Sequence, residues 1–247
     1  MKIIGLNAFH GDSAACLFVD GTMVAAAEEE RFRRTKHWAG FPSESIAFCL
    51  RQAGLRLDEI DIISINSDSK AARSKKITYL LSGGASLGLI KEKLKIRKKR
   101  KSIEEYLREH FRDQTFTGKI QPVEHHLAHL ASAHSVSPYN RSSIISVDGF
   151  GDFASSAFAY GDGDTLDIED RIYFPHSLGV FYQALTQFLG FPHYGDEYKI
   201  MGLAPYGAPR YRDQMDQIVK QLSDGRFELI LSCITLRRLR IEGLQLN

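Results

Sequence analysis

The stretch that decides the fold is KIIGLNAFHGDSAACLFVDGTMVAAAE, residues 2–28. Apolar side chains run up to Asn7, resume at Ala14 after a glycine-containing turn, and resume again after Asp20-Gly21. Two apolar runs joined by Asp-Gly are a strong local signal for a β-hairpin. The stretch therefore predicts three consecutive strands, with a polar turn between the first and the second.

The segments that follow predict helices between strands. Ser43 is expected to cap a helix over residues 44–54, because apolar side chains recur there at helical spacing and Gly54 closes the run. Residues 60–65 predict a buried strand, and a sheet with a crossover helix indicates an α/β fold. Residues 144–174 repeat the order strand, glycine-rich acidic turn, strand, turn, strand, which predicts an internally duplicated fold.

Four histidines occur within residues 124–134, among Ala and Leu and without Pro or Gly, which predicts a helix. Positions four apart lie on one helix face, so His125 and His129 could bind one transition metal. His126 and His129, three apart, are an alternative pair. Asp148 follows an apolar run and is expected where that strand ends, before a glycine turn, as an oxygen ligand. The competing interpretation is a set of partly buried, hydrogen-bonded histidines.

Three other segments carry polar residues that suit a ligand. The turn at residues 10–13 fits either a phosphate-facing loop or a solvated turn. The charged run at residues 28–37 fits either a solvated face or the lining of a cleft. Residues 195–207 combine glycines, acids and a lysine, as ligand-contacting segments do. The basic run at residues 91–101, in contrast, is predicted to be a solvated insertion rather than a nucleic-acid or membrane patch.

The composition narrows the class of protein. The chain has 247 residues, 43% of them hydrophobic, which is enough for one large or two small globular domains. A net charge of +2 gives no general attraction to nucleic acid. Three scattered cysteines fit a reducing compartment, and neither a signal peptide nor a bilayer-spanning apolar run is seen. We therefore expect a cytoplasmic protein without a membrane partner, and the oligomeric state stays open.

Five motifs in a fixed order carry a family resemblance, at residues 5–14, 28–37, 124–129, 147–152 and 195–207. Together they make the chain similar to the N-terminal part of the nodulation-protein and antibiotic O-carbamoyltransferase family. The resemblance implies an actin-like ATPase domain, ribonuclease-H-like and duplicated, similar to the universal tRNA-threonylcarbamoyl transferases and the hydrogenase-maturation carbamoyltransferase. The first strand, polar turn and hairpin also resemble the start of kinases of the actin and Hsp70 type, where the first turn faces phosphate.

The resemblance also implies an activity. In such enzymes carbamoyl phosphate and ATP form carbamoyl-adenylate in a YrdC-like domain. The carbamoyl group then moves to a hydroxyl of a small-molecule acceptor of the sugar, nodulation-factor or antibiotic type, as a step of biosynthesis. The implied metal is Fe(II), held by His125, His129 and Asp148 and acting as a Lewis acid.

Further residues take implied roles from the same resemblance. The catalytic residues would be His10, Lys36 and Asp196. Lys36 would stabilise developing negative charge, and either His10 or Asp196 would be the general base. The residues that would contact the nucleotide cofactor are Gly11, Asp12, Ser13 and Lys199.

The resemblance sets expected boundaries. It covers residues 1–229, with a basic helical insertion at about residues 70–113, while residues 230–247 are an atypical tail. The family's further aspartate ligand and its YrdC-like domain do not occur in the 247 residues, which suggests a shifted reading frame or a truncated gene. We expect no complete transfer activity from this chain alone. The alternatives are a non-catalytic fragment that binds metal or nucleotide, and another enzyme on the same fold, such as a tRNA-modifying transferase or a metallohydrolase.

Overall fold

The computed structural model describes residues 1–82 and 101–231. The chain divides into two compact units, Met1–His125 and His126–Asn247. His125 is both the last residue of the first unit and the first residue of the helix His125–Ser135. Within the described residues, no helix combines the length and the apolar character needed to cross a bilayer.

The first unit contains a five-stranded sheet. Its strands are β1 (Lys2–Asn7), β2 (Ala14–Val19), β3 (Thr22–Glu28), β4 (Ile62–Ile65) and β5 (Lys119–Pro122). They lie in the order β3-β2-β1-β4-β5, with β1 to β3 antiparallel and β4 and β5 parallel to β1. The three-strand prediction and the hairpin turn at Asp20-Gly21 are confirmed. Parallel pairing places the carboxyl ends of β1, β4 and β5 at one edge.

Helices complete the first unit. Among the described residues they are α1 (Glu30–Arg33), α2 (Ser43–Ala53), α3 (Arg73–Leu81) and α4 (Ile103–His110), together with a 3-10 turn at Leu57–Glu59. The apolar face of α2 packs against the sheet, and Ile4, Leu17 and Ile46 are fully buried in the resulting core. Residues 83–100, which include most of the predicted basic run, lie outside the described residues, and so do residues 232–247 of the predicted tail.

The helix predicted at residues 44–54 is confirmed, but its expected cap is wrong. Ser43 is the first helical residue, and Gly54 ends the helix with a φ of 63°. The capping group is the carboxylate of Glu29, which accepts hydrogen bonds from the backbone N–H groups of Glu44 at 3.2 Å and Ser45 at 2.8 Å. A buried carboxylate therefore satisfies the free N–H groups at this helix start.

The second unit repeats the beginning of the first. Its sheet has three antiparallel strands, β6 (Arg141–Gly151), β7 (Ala154–Asp162) and β8 (Thr165–Tyr173). The other described elements are α5 (His125–Ser135), α6 (Leu178–Phe188), α7 (Glu197–Leu203), a 3-10 turn (Ala204–Tyr206), α8 (Arg212–Ile218), β9 (Val219–Gln221) and β10 (Phe227–Leu229). The order and antiparallel pairing of β6 to β8 match those of β1 to β3, so the predicted repeat of the opening strands and the α/β fold class are confirmed.

The predicted end of the strand before Asp148 is wrong. Strand β6 continues to Gly151, with an irregular register between Val147 and Gly151, and the chain reverses at Asp152 and Phe153, where φ is 49° and 80°. Glycines within a strand often mark such a bulge. Asp148 consequently lies at a bulge inside the strand.

Candidate metal centre

The structure brings the three predicted metal ligands together. Nε2 of His129, on α5, lies 3.4 Å from Oδ2 of Asp148, on β6. With His125, one helical turn earlier, the donor atoms all lie within 4.8 Å of one another. Two ligands about 2.1 Å from a tetrahedrally coordinated ion would be separated by roughly 3.4 Å. The His129–Asp148 separation therefore suits a shared divalent metal.

His125 has the hydrogen bond expected of a metal-binding histidine. Its Nδ1 lies 3.3 Å from the backbone carbonyl oxygen of Asn66. A carbonyl oxygen can only accept, so Nδ1 carries the proton and Nε2 is the nitrogen that can coordinate. Two imidazoles and one carboxylate form a mixed nitrogen and oxygen donor set that iron accepts. The residues present thus fit the implied metal.

Asn66 connects His125 to the turn after β1. Its Nδ2 donates to Oδ1 of Asn7 at 3.2 Å, and Nδ2 of Asn7 donates to the carbonyl oxygens of Gly11 at 3.2 Å and Asp12 at 2.9 Å. Asn7 ends β1 and Asn66 follows β4, so parallel pairing places the two amides side by side. Sequence reasoning missed Asn66, although a polar residue directly after a buried strand was a usable signal.

The turn after β1 also collects predicted site residues. The ring centroid of His10 lies 5.9 Å from that of His125. Asp12 pairs with His37 at 2.9 Å, which holds the turn against the segment that contains the exposed Lys36. Backbone hydrogen bonds reinforce this arrangement, from Phe9 N to Gly40 O at 3.1 Å and from Ser13 N to Trp38 O at 2.9 Å. The predicted residues at 10–13 and 36 therefore share one region of the first unit.

Ser13 is fully buried, and its hydroxyl binds backbone groups of the protein rather than facing solvent. The hydroxyl donates to the carbonyl oxygens of Gly40 at 2.8 Å and His10 at 3.1 Å. The turn residues with side chains or backbone nearer to solvent are His10, Gly11 and Asp12. A ligand at this turn would therefore meet those three residues, while Ser13 holds the turn in shape.

The charged run at residues 28–37 lines a groove in part, as one sequence interpretation predicted, and also contains a buried carboxylate that neither interpretation predicted. Glu29 is fully buried and forms an ion pair of 3.0 Å with Arg33. Glu28 and Arg31 instead line an open groove of about 790 Å³ within the first unit. Glu29 thus stabilises the fold, whereas Glu28 and Arg31 face the groove.

The backbone around Asp148 is held by the start of α6. The hydroxyl of Ser177 donates to the carbonyl oxygens of Asp148 at 3.2 Å and Gly149 at 2.6 Å, and it accepts from the N–H of Val180 at 3.1 Å. A Cβ on Gly179 would lie 2.7 Å from the carbonyl oxygen of Asp148, so this close approach requires glycine. Sequence reasoning missed the contact of Ser177 with the backbone around the predicted ligand Asp148, because the two residues are 29 positions apart.

Asp196 and Lys199, the two predicted site residues of the segment at residues 195–207, bind each other. Nζ of Lys199 lies 2.6 Å from Oδ1 of Asp196, and the N–H of His193 donates to Oδ2 of Asp196 at 3.1 Å. The hydrogen bond from Lys199 holds the pKa of Asp196 below its usual value, and Asp196 raises the pKa of Lys199. The carboxylate is therefore ionised but a weakened base.

Solved structures give distant likenesses. The ROK hexokinase from Thermus thermophilus is 13% identical, with a TM-score of 0.43 over 86% of this chain and 72% of that one. YeaZ from Pseudomonas aeruginosa is 11% identical, with a TM-score of 0.37 over 71% of this chain and 69% of that one. Likenesses at this level assign no site residue here.

Sequence relatives are much closer. An uncharacterised protein of Synechocystis sp. is 37% identical over 240 residues, which are 92% of this chain and 38% of that protein. Nodulation protein NolNO of Sinorhizobium fredii is 36% identical over 231 residues, 92% of this chain and 32% of that protein. The chain thus spans about a third of the length of these relatives. Residues 2–236 match the sequence model described as carbamoyltransferase N-terminus. The chain belongs to this family of carbamoyltransferase N-terminal domains.

Proposed function

We propose that this chain is the metal-bearing part of an enzyme that transfers a carbamoyl group to a hydroxyl of a small molecule. The observation that carries the proposal is the cluster of His125, His129 and Asp148, with donor atoms within 4.8 Å, in a chain of this family. Two relatives bear the name nodulation protein, which supports an acceptor of the nodulation-factor type. The donor is carbamoyl phosphate, activated with ATP to carbamoyl-adenylate outside this chain.

Each predicted site residue has a separate role in the proposed transfer. Bound Fe(II) would supply Lewis-acid polarisation of an oxygen of the donor. His10 takes the proton of the acceptor hydroxyl, since its ring lies beside His125 while Asp196 is an ionised partner of Lys199 with a lowered pKa. The acceptor oxygen bonds to the carbamoyl carbon as the bond to AMP breaks. Lys36, exposed next to the turn, stabilises the negative charge of the departing phosphate.

A second candidate is a chain that binds metal or nucleotide without catalysis. Its support is that two of the predicted site residues, Asp196 and Lys199, bind each other in the structure. The two candidates share the metal centre and differ in transfer activity, so metal binding and transfer have to be measured separately.

Metal binding by the proposed cluster is tested by loading the purified chain with Fe(II). The purified chain is incubated anaerobically with Fe(II), desalted and analysed for iron. We expect about one iron per chain, as one three-ligand cluster implies, and a large loss in His129→Ala. His110→Ala is the matched control, because His110 is an exposed histidine on α4 outside the cluster. Equal iron in wild type and His129→Ala, or none in wild type, would overturn the metal assignment.

Transfer is tested with labelled carbamoyl phosphate, ATP and a nodulation-type oligosaccharide. We expect no AMP release by the chain alone, and labelled oligosaccharide when a protein containing the YrdC-like domain is added. A protein of the relatives' full length with the same sequence over residues 1–229 is the positive control. Iron binding without any transfer, in the presence of the added domain, would favour the non-catalytic candidate.

A further inference from the structure

Two histidines of α5 that are not among the three ligands contact strand β6. Nδ1 of His126 lies 2.9 Å from the hydroxyl oxygen of Ser146, and Nδ1 of His134 lies 2.9 Å from that of Ser142. All four side chains belong to the second unit, and both histidines are buried. The helix is thus joined to the strand by two histidine–serine hydrogen bonds.

The spacing of these residues sets the register between helix and strand. His126, Leu130 and His134 are four apart and form one stripe of the helix. Residues 142, 144 and 146 alternate along β6 and share one face of the strand. Leu130 and Ile144 belong to one buried apolar cluster between the two hydrogen bonds. The stripe therefore lies along the strand, with the His126 end of the helix nearest to Asp148.

We infer that His126 and Ser146 are positioning residues that hold His129 opposite Asp148. The inference rests on the proposed metal centre. His126 is fully buried and is three residues from His129, and Ser146 is two residues before Asp148 on β6, directly before the bulge. The side chain of His129 is 49% exposed, so packing alone constrains it weakly.

The second pair provides a natural comparison. His134 lies two helical turns from His126, and its Nε2 also donates to the carbonyl oxygen of Gly163 at 2.8 Å. Its hydrogen bonds fix the far end of α5. The His134–Ser142 pair therefore contributes to the stability of the unit, whereas the His126–Ser146 pair also sets the geometry of the ligands.

Ser146→Ala and Ser142→Ala test this difference with Co(II) as the probe. The two serines lie on the same face of β6, and each substitution removes one hydroxyl that hydrogen-bonds to a histidine of α5. We expect both to lower the melting temperature, and only Ser146→Ala to weaken Co(II) binding, by about 10-fold or more, as for other residues that orient metal ligands. The Co(II) absorption spectrum of Ser146→Ala should also change, which a purely structural role would not produce.

Substitutions of His126, the helix residue of the His126–Ser146 pair, test the same hydrogen bond. His126→Asn keeps a polar atom near the position of Nδ1 and should bind Co(II) more tightly than His126→Ala. The double variant His126→Ala/Ser146→Ala should bind no more weakly than the weaker single variant, because both changes remove one interaction.

The outcomes separate this inference from the proposed metal centre. Equal losses of affinity in Ser142→Ala and Ser146→Ala, or unchanged affinity in Ser146→Ala and His126→Ala, would overturn the positioning role while the metal centre stands. Failure of the wild-type chain to bind Co(II) would overturn both.

Discussion

The carboxylate of Asp196 and the ammonium of Lys199 form an ion pair of 2.6 Å across the first turn of α7. Asp196 is buried, with its side chain 8% exposed, and the N–H of His193 donates to its second oxygen. The hydrogen bond from Lys199 is the main reason why the pKa of Asp196 lies below its usual value. The pair therefore makes the stability of the second unit depend on pH.

Acidification should remove the contribution of this pair. A carboxylate whose pKa is lower in the folded than in the unfolded state stabilises the fold fully above its unfolded pKa of about 4, and loses this contribution as the pH falls through the folded value. We expect the melting temperature of the wild type to exceed that of Asp196→Asn at pH 6, with a difference that shrinks below about pH 4. Asp213→Asn, on an exposed position of α8, is the control. A constant difference down to pH 2 would contradict this prediction.

Glu29→Gln should be strongly destabilising. The buried carboxylate pairs with Arg33 and caps α2 through three hydrogen bonds from Glu44 and Ser45. Loss of a buried, hydrogen-bonded charge costs about 3 kcal/mol of unfolding free energy. Glu28→Gln, which removes an exposed carboxylate paired with Arg31 at 3.7 Å, should cost less than about 0.5 kcal/mol. Urea denaturation measures both, and similar costs for the two variants would disprove the capping role.

Gly161→Ala should destabilise the second unit through a direct clash. A Cβ at this position would lie 2.5 to 2.8 Å from ring atoms of His134. We expect a loss of about 1–3 kcal/mol in unfolding free energy, as for other overpacked sites. In the background of His134→Ala, the same glycine substitution should cost much less. Equal costs in the two backgrounds, measured by urea denaturation, would show that the ring is not the obstacle.

Ser177→Ala should affect metal binding as well as stability. Its hydroxyl caps α6 and also donates to the carbonyl oxygens of Asp148 and Gly149. Ser102 is a matched control, because it caps α4 by accepting from the N–H of Glu105 in the first unit. Each alanine variant should lose about 1 kcal/mol of unfolding free energy, while only Ser177→Ala should weaken Co(II) binding. Equal Co(II) affinities in the two variants would refute the link to Asp148.

Local patterns in the sequence predicted the opening strands, the histidine helix and the candidate ligands His125, His129 and Asp148. The Asp20-Gly21 hairpin and the helix with His125 and His129 depend on spacings of a few residues, which the sequence displays directly. The contacts that the sequence did not reveal join distant residues. Asn66 and His125 are 59 positions apart, and Ser177 is 28 positions from Gly149.

Burial explains the remaining differences. Helical spacing allowed both His125 and His126 to pair with His129, and the packing of α5 on β6 directs His126 to Ser146 instead. Likewise, the run Glu28-Glu29-Glu30 shows three similar carboxylates in the sequence. Only the fold distinguishes Glu29, because its buried carboxylate accepts a hydrogen bond from the backbone N–H of Ser45 at the start of α2.

The hydrogen bonds that join Gly11, Asn7, Asn66 and His125 connect the turn after β1 to a proposed metal ligand. Coupling free energy between two sites is reciprocal. If a phosphate group bound at the turn tightens the affinity for iron, then iron tightens the affinity for that phosphate by the same factor. In the proposed enzyme, such reciprocity would make the donor bind more tightly to the chain that already holds its metal ion.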